Sequence, residues 1–461
     1  MTRKKDILYF IKKLLIISIP IILSNLFVNL ASLIDTMMVG NLEGVSEVSL
    51  SGVYIATQII FVINLAVFGS VEGAGVFFSQ FLGKKDYAHL SNTFAFKLIS
   101  SFIVTFLSTL IVYAFGRQLV SIFTYDDVTI EIAVQYLRIV GISIIPFGVT
   151  VSCTTSLRES HSAIAPMIVT LCGIFVNLFV NYILIFGNWG APKLEAAGAA
   201  IGTVCNRYFE FIVIIIVLIV KKKDFTKNLL ASFKIDGELL KNLILKSIPL
   251  LLNELFWSLG QTCLVYVFTQ KNEIATTVLP IVSTIFNLIM VVSLGMGNGI
   301  SIIIGNILGS NDSKEAQNKA YVSLIFSLLL SILLGTILFI SSPGIVSLYS
   351  GISMETKEIA TYLLKFDAIY LVIATIDTIM FFLLRAGGRT LVVFLFDSAF
   401  GWIVSIPVAF LFYRFLPNIS FEQLFIYVYL FDLLKTVIGM VLIFSKVWNR
   451  NIINRYQNEV K

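Results

Sequence analysis

Charged side chains are what this chain has least of. Only 13% of its 461 residues are Asp, Glu, Lys or Arg, against about 25% in soluble domains, which excludes a water-solvated globular surface. Cysteine is sparse as well: Cys153, Cys172, Cys205 and Cys263 are scattered through apolar runs with no metal or redox spacing, and read as small packing residues. The two histidines, His89 and His161, are too isolated to mark a metal site. An HExxH signature, a GxSxG elbow and any cluster of His with Asp are all missing. A membrane-embedded enzyme would need one of them, so the sequence argues for no catalytic residues and no cofactor.

What fills the chain instead is apolar residue, 57% of the total, with a mean hydropathy of +0.93. Runs of 20 or more recur between residues 14 and 445. Backbone facing lipid must satisfy its own hydrogen bonds, so such runs span as helices, and the unbroken apolar character excludes alternating barrel strands. Twelve spans are predicted, in an all-α integral membrane fold. The basic start, MTRKKDILYFIKKLLIISIP, continues apolar well past signal-peptide length and reads as a retained first helix.

Of 33 lysines and arginines, the outer loops take only Arg117, Lys193, Lys271, Lys357 and Arg414 if the N-terminus is cytoplasmic. That bias predicts both termini inside, and explains the net charge of +6 by topology with no nucleic-acid partner.

The chain also repeats itself. ISIPIILSNLF (17–27) aligns with KSIPLLLNELF (246–256), EGAGVFFSQFLGKKD (72–86) with NGISIIIGNILGSND (298–312), and SLRESHSA (156–163) occupies the place of LLRAGGRT (383–390). Two pseudo-symmetric six-helix bundles are expected, residues 1–220 and 243–461, joined by a cytoplasmic linker over 221–242. Such repeats are typical of secondary transporters, in which access to a central site alternates. A channel gains nothing from a twofold repeat with unequal acids. The acids are indeed unequal: Asp35 aligns with Leu264, Glu254 with Asn25, and Glu72 with Asn298.

An acid within a membrane helix costs roughly 2.5–3.5 kcal/mol on insertion scales, so Asp35, in LIDTMMVG, implies a task. Asn177 and Asn181, four apart, share a helix face, and counting from the helix ends puts Asp35, Asn181 and Thr203 at one depth. An acid, two amides and a hydroxyl form an all-oxygen set suited to Na+, or to a proton on Asp35. The competing reading of the asparagines is plain interhelical hydrogen bonding. Arg207 with Glu210, and Asp432 with Lys435, are expected to pair along their helices at i, i+3. Asp397 is expected to cap or snorkel, and Pro20, Pro146, Pro249 and Pro407 to mark bends.

PIILSNLFVNLASLIDTMMVG, FGSVEGAGVFFSQFLGKKD, NLFVNYILIFG followed by EAAGAAIGT, and LLRAGGRT before FDSAFGWIVSIPVAF together resemble the multidrug and toxic compound extrusion family, bacterial type, over essentially the whole chain. The resemblance implies an antiporter of the bacterial plasma membrane that expels small organic, often cationic, compounds while Na+ or H+ enters. It implies cation binding by Asp35 with Asn177, Asn181 and Thr203, and is compatible with a monomer in the bilayer. In the second half Glu254 is similar in place to an acid used by the Na+-coupled branch. The partner acid of that branch would lie near Ala374, where this chain offers Asp377 one turn later and Asp367 two turns earlier. Glu72 replaces the small residue usual in relatives, and either adds charge to a cavity or pairs with a cation such as Lys97. A lipid-linked-sugar flippase of related architecture is the alternative; it calls for a strongly cationic cavity, whereas the intramembrane charges here are mostly acidic.

Overall fold

Apolar runs of this length fold as helices because each backbone N–H must find a carbonyl within its own segment. The computed structural model describes residues 3–40, 46–227, 229–272, 274–349 and 352–454, and no strand occurs among them. The first half comprises α1 (Arg3–Gly40), α2 (Ser46–Lys84), α3 (Tyr87–Ser121), α4 (Asp127–Gly141), α5 (Ile144–Glu159), α6 (Ile164–Phe186) and α7 (Glu195–Lys221). After a short α8 (Leu229–Ser232) come α9 (Gly237–Lys271), α10 (Ala275–Gly309), α11 (Ser313–Ser347) and α12 (Met354–Ala386). The chain closes with α13 (Thr390–Phe394), α14 (Ile406–Phe415), α15 (Phe421–Leu430) and α16 (Asp432–Phe444). Among the described residues eleven stretches are long and apolar enough to cross a membrane, and the bent pair α4–α5 makes the twelfth. The 39 residues of α2 reach about 58 Å at 1.5 Å per residue, well beyond a hydrocarbon core of about 30 Å.

One of the four prolines adjoins a break and another follows a change of helix type. The 53° bend between α4 and α5 comes one turn before Pro146, whose ring cannot sit against the carbonyl of Ile142. That carbonyl accepts instead from the Tyr208 hydroxyl at 3.3 Å. Pro407 lies inside the continuous helical span Thr390–Phe415, where the backbone passes from π-helical to α-helical. Just before it, Leu395–Ala399 and Gly401–Ser405 form two successive π-helical turns. Pro20 and Pro249 lie inside α1 and α9, which run unbroken through them.

The chain packs as two units, one of Leu23–Leu251 and one of Met1–Ile22 with Leu252–Lys461. In the first, fully buried Val39, Ala56, Leu137, Val140, Ile185 and Ala200 belong to one apolar core. In the second, Phe268, Val278, Leu363, Ala409 and Leu424 do the same.

Each unit contains a close helix crossing that joins distant parts of the sequence. In the first, Gly69 and Gly73 of α2 meet Leu251 and Ser247 of α9, so close that a Cβ would stand 2.6 Å from the Leu251 Cα and 2.4 Å from the Ser247 Cα. In the second, Gly295 and Gly299 of α10 meet Ile22 and Ser18 of α1, where a Cβ would stand 2.4 Å from Ile22 Cγ1 and 2.1 Å from Ser18 Oγ. These are small-x-x-x-small contacts, which let backbones approach where lipid supplies no hydrophobic drive. The four positions correspond in the repeat, Gly69 to Gly295 and Gly73 to Gly299, and so do their partners, Ile22 to Leu251 and Ser18 to Ser247. Asp6 of α1 joins the second unit too, 2.6 Å from Lys319 Nζ of α11.

Candidate functional site

Asp35 lies near the end of α1, in the unit formed by residues 23–251. One helical turn separates Asn177 from Asn181 on α6, and both amides reach the acid. Asn181 Nδ2 donates to Asp35 Oδ1 at 2.8 Å, and the Asn177 amide, turned nitrogen-first, donates to Oδ1 at 2.8 Å and Oδ2 at 3.2 Å. Both asparagines are buried, and the carbonyl oxygen of Asn181 has no hydrogen-bond partner. That oxygen points at Gly202 of α7, where a Cβ would stand 1.9 Å away. No basic side chain is among the described contacts of Asp35.

Thr203 enters less directly. Its hydroxyl donates to the Ala199 carbonyl at 3.1 Å, the i−4 bond common for threonine in helices. It also bonds to Tyr136 of α4, a buried phenol within electrostatic reach of both Asp35 and Arg207. Tyr136 was not foreseen from the sequence, because nothing marks a lone tyrosine on an apolar helix as facing an acid. Arg207 in turn donates to Asn64 of α2 at 3.2 Å and stacks over the Phe147 ring, with Glu210 within electrostatic reach. The acid, two amides, hydroxyl and phenol thus form one polar patch built from α1, α4, α6 and α7.

An unfilled acceptor, a carboxylate and no resident base suit a small hard cation. One buried carbonyl without a partner costs about 1–3 kcal/mol, which a bound ion would relieve. A proton on Asp35 would serve the same charge balance, with the carboxylic O–H then a donor. Among the described residues no three of His, Cys, Asp and Glu are grouped so as to hold a metal ion. The four cysteines are free.

The second acidic cluster lies in the other unit. Asp377 of α12 is buried and accepts from Thr436 Oγ1 at 2.8 Å. Asp367, two turns and more before it, is buried near Tyr429. Glu254 is half-buried on α9, next to Asn253. Two expectations need correction. Lys435 bonds with Asp397, at 2.6 Å, while its helix neighbour Asp432 accepts from the Tyr370 hydroxyl at 2.5 Å. Asp397 therefore is no snorkelling cap: it sits in the first π-helical turn with its other oxygen held by Asn253 Nδ2 at 3.1 Å. Asn253 also accepts from the Ser398 N–H and hydroxyl, at 3.3 and 2.8 Å, which ties α9 to the distorted segment.

Glu72 lies on α2 in the first unit. The ion pair described for Lys97 is with Glu159, at 2.5 Å and fully desolvated on the lysine side.

The MatE family model matches residues 20–183 and 249–411, once in each half of the sequence. Among curated proteins, the chain is similar to the probable multidrug resistance protein YoeA of Bacillus subtilis, 23% identical over 85% of this chain and 84% of that protein. It is similar to the probable multidrug resistance protein NorM of Thermotoga maritima, 23% identical over 88% and 86%. Among solved structures, an outward-facing multidrug resistance transporter of the MOP superfamily superposes with a TM-score of 0.85 at 17% identity, over 95% of both chains. The Vibrio cholerae transporter VcmN does so with a TM-score of 0.88 at 16% identity, over 97% of this chain and 99% of that one.

Proposed function

Because this chain belongs to the MatE family, a family of multidrug efflux transporters and not of enzymes, we propose that it exports organic cations by antiport, with Asp35 as the site of the coupling Na+ or H+. The observation that carries this reading is the Asp35 carboxylate, clasped by Asn177 and Asn181 beside an unfilled Asn181 carbonyl, with no basic partner among its described contacts. The mechanism follows from charge. With Asp35 ionised the patch holds one negative charge, and a cation entering from outside neutralises it. Neutralisation removes the attraction for a cationic compound and releases it. Each inward positive charge recovers about 2.3 kcal/mol per 100 mV of membrane potential, and each exported monovalent cation costs the same, so at one ion per cycle the concentration gradient of the coupling ion supplies the drive.

The two sequence halves, 1–220 and 243–461 with their linker over 221–242, serve as the repeats between which access alternates. Both termini lie on the cytoplasmic side of a bacterial plasma membrane, in keeping with the distribution of Lys and Arg. Tyr136 and Thr203 hold the far side of the Asp35 patch, while Glu254, Asp367, Asp377 and Glu72 supply further negative charge. A lipid-linked-sugar flippase is disfavoured: the two polar patches are built on Asp35 and on Asp377, Asp397 and Asp432, a poor surface for pyrophosphate.

The test is ethidium efflux from cells carrying wild type or Asp35→Asn, driven in turn by imposed sodium and pH gradients. Efflux that follows one gradient and is lost in Asp35→Asn identifies the ion and its site. Efflux unchanged in Asp35→Asn removes that acid from the mechanism, and no efflux under either gradient removes the export of organic cations.

A further inference from the structure

The two halves treat their acids in opposite ways. Asp35 is held by neutral amides alone, whereas in the second unit the Lys435 ammonium bonds to one carboxylate, Asp397, and has two more, Asp432 and Asp377, within electrostatic reach. The three carboxylates come from three elements: α12, the π-helical turn at Leu395–Ala399, and α16. Lys435 Nζ lies 2.6 Å from Asp397 Oδ1, a contact length for a charge-assisted bond, and over the Phe396 ring at 5.2 Å. Asn253 fixes the second oxygen of Asp397, so the carboxylate is oriented from both sides.

Beside this cluster is a cavity of about 120 Å³, lined among others by Tyr370, Asp397, Ser398, Asp432, Trp402 and Lys435. Drug-sized ligands occupy roughly 300–1,000 Å³, so it is too small for an exported compound. At about 30 Å³ per water it has room for roughly four waters or one small hydrated cation. Two features make the segment atypical for a merely packed core: consecutive π-helical turns, which recur at functional sites, and a small, partly polar cavity at their side.

We propose that the Lys435 ammonium is a tethered cation, occupying against Asp397, with Asp432 and Asp377 nearby, the position that a dissolved sodium or ammonium ion would otherwise take, so that only the Asp35 half exchanges ions with solution. Lys435 is then the residue that sets how many ions move per cycle. A lysine on a four-carbon stem is suited to this, being a compact point charge with three donors, where arginine would impose a planar fork. The idea rests on Asp35 being the exchangeable site, and the experiment separates the two.

The measurement is equilibrium binding of radiolabelled sodium and of radiolabelled methylammonium to the purified full-length protein, in four forms. These are wild type, Asp35→Asn, Asp35→Asn/Lys435→Ala, and Asp35→Asn/Lys435→Ala/Asp397→Asn. The expected result is no binding in Asp35→Asn, one cation per protein once Lys435 is also removed, and loss of that cation when Asp397 is neutralised. In the otherwise wild-type background, Lys435→Ala should raise the number of cations moved per compound exported, a change in stoichiometry that loss of a purely structural ion pair would not produce.

The inference is overturned if Asp35→Asn/Lys435→Ala folds, by size exclusion and melting, yet binds neither ion. It is equally overturned if Asp35→Asn with Lys435 intact still binds sodium at a site abolished by Asp397→Asn, an arm that requires no change at Lys435. Efflux that survives Asp35→Asn would instead overturn the reading of Asp35 and leave the binding result at Lys435 standing on its own.

Discussion

Asn181 donates its amide hydrogen to Asp35 at 2.8 Å while its own carbonyl oxygen, buried against Gly202, bonds to nothing. One side chain thus stabilises the ionised acid and offers an acceptor to whatever neutralises it. Hydrogen bonds to charged groups are worth roughly 1.5–3 kcal/mol, and about 1.4 kcal/mol is a factor of ten in affinity. In Asn181→Ala the coupling-ion concentration giving half-maximal efflux should rise by about tenfold or more, with maximal efflux less affected. Titrating the driving ion in proteoliposomes checks this; an unchanged half-maximum would remove Asn181 from the ion site.

Lys97 and Glu159 form a buried pair between α3 and α5 at 2.5 Å, with Thr155 3.5 Å from the ammonium. Removing one partner leaves an uncompensated charge, which costs roughly 3–5 kcal/mol, whereas removing both together can be nearly neutral. Lys97→Met should therefore melt well below wild type, and Lys97→Met/Glu159→Gln should recover most of the loss. A double variant no more stable than Lys97→Met would contradict this account.

The glycine crossings differ in what a methyl group would strike. At Gly73 the obstacle is the Ser247 backbone, which cannot yield, whereas at Gly299 it is the Ser18 hydroxyl, which can rotate away. Overpacking of this kind costs about 1–3 kcal/mol. Gly73→Ala should lower the melting temperature clearly, Gly299→Ala less, and Gly116→Ala, with nothing within 4 Å, least of all. Melting curves of the three proteins in one detergent settle the order.

Asp86 caps α3 in the turn after α2, accepting from the His89 N–H at 3.3 Å and facing its Nδ1 at 2.9 Å. Burial pushes its carboxyl up, but the hydrogen bonds and charge of His89, with Lys84, outweigh burial and hold it below the ordinary value of 3.8. A depressed carboxyl contributes stability above its unfolded value and loses it as pH falls through the lower folded one. Asp86→Ala should cost about 1 kcal/mol at neutral pH, as caps do. The gap in melting temperature between it and wild type should shrink as the solution is taken below about pH 4; a constant gap would show the cap acting without its charge.

The architecture was legible because hydropathy in a membrane chain is a strong signal, and because matched motifs expose the repeat. Asp35, Asn177 and Asn181 were legible for a simpler reason: i, i+4 spacing and depth along a helix are arithmetic on the sequence, and all three do meet. The ion pairs were not. Asp432 and Lys435 stand at i, i+3, yet the lysine turns to Asp397, 38 residues earlier, and the carboxylate to Tyr370. A π-helical turn inserts an extra residue and rotates the helix face, so no count at 3.6 residues per turn could aim Asp397 correctly. The break at α4–α5 was half visible, in Pro146, while the Tyr208 hydroxyl that satisfies the freed Ile142 carbonyl lies on another helix.

The crossing of α1 with α10 also bears on how the protein is made. The α1 segment leaves the ribosome about 275 residues ahead of its packing partners, Gly295 and Gly299. At about 5–20 residues per second that is a wait on the order of 10–50 s. During it Ser18 and Ile22 are bare of their mates. Neither half of the sequence can complete its unit alone, because each unit takes a helix segment from the other half.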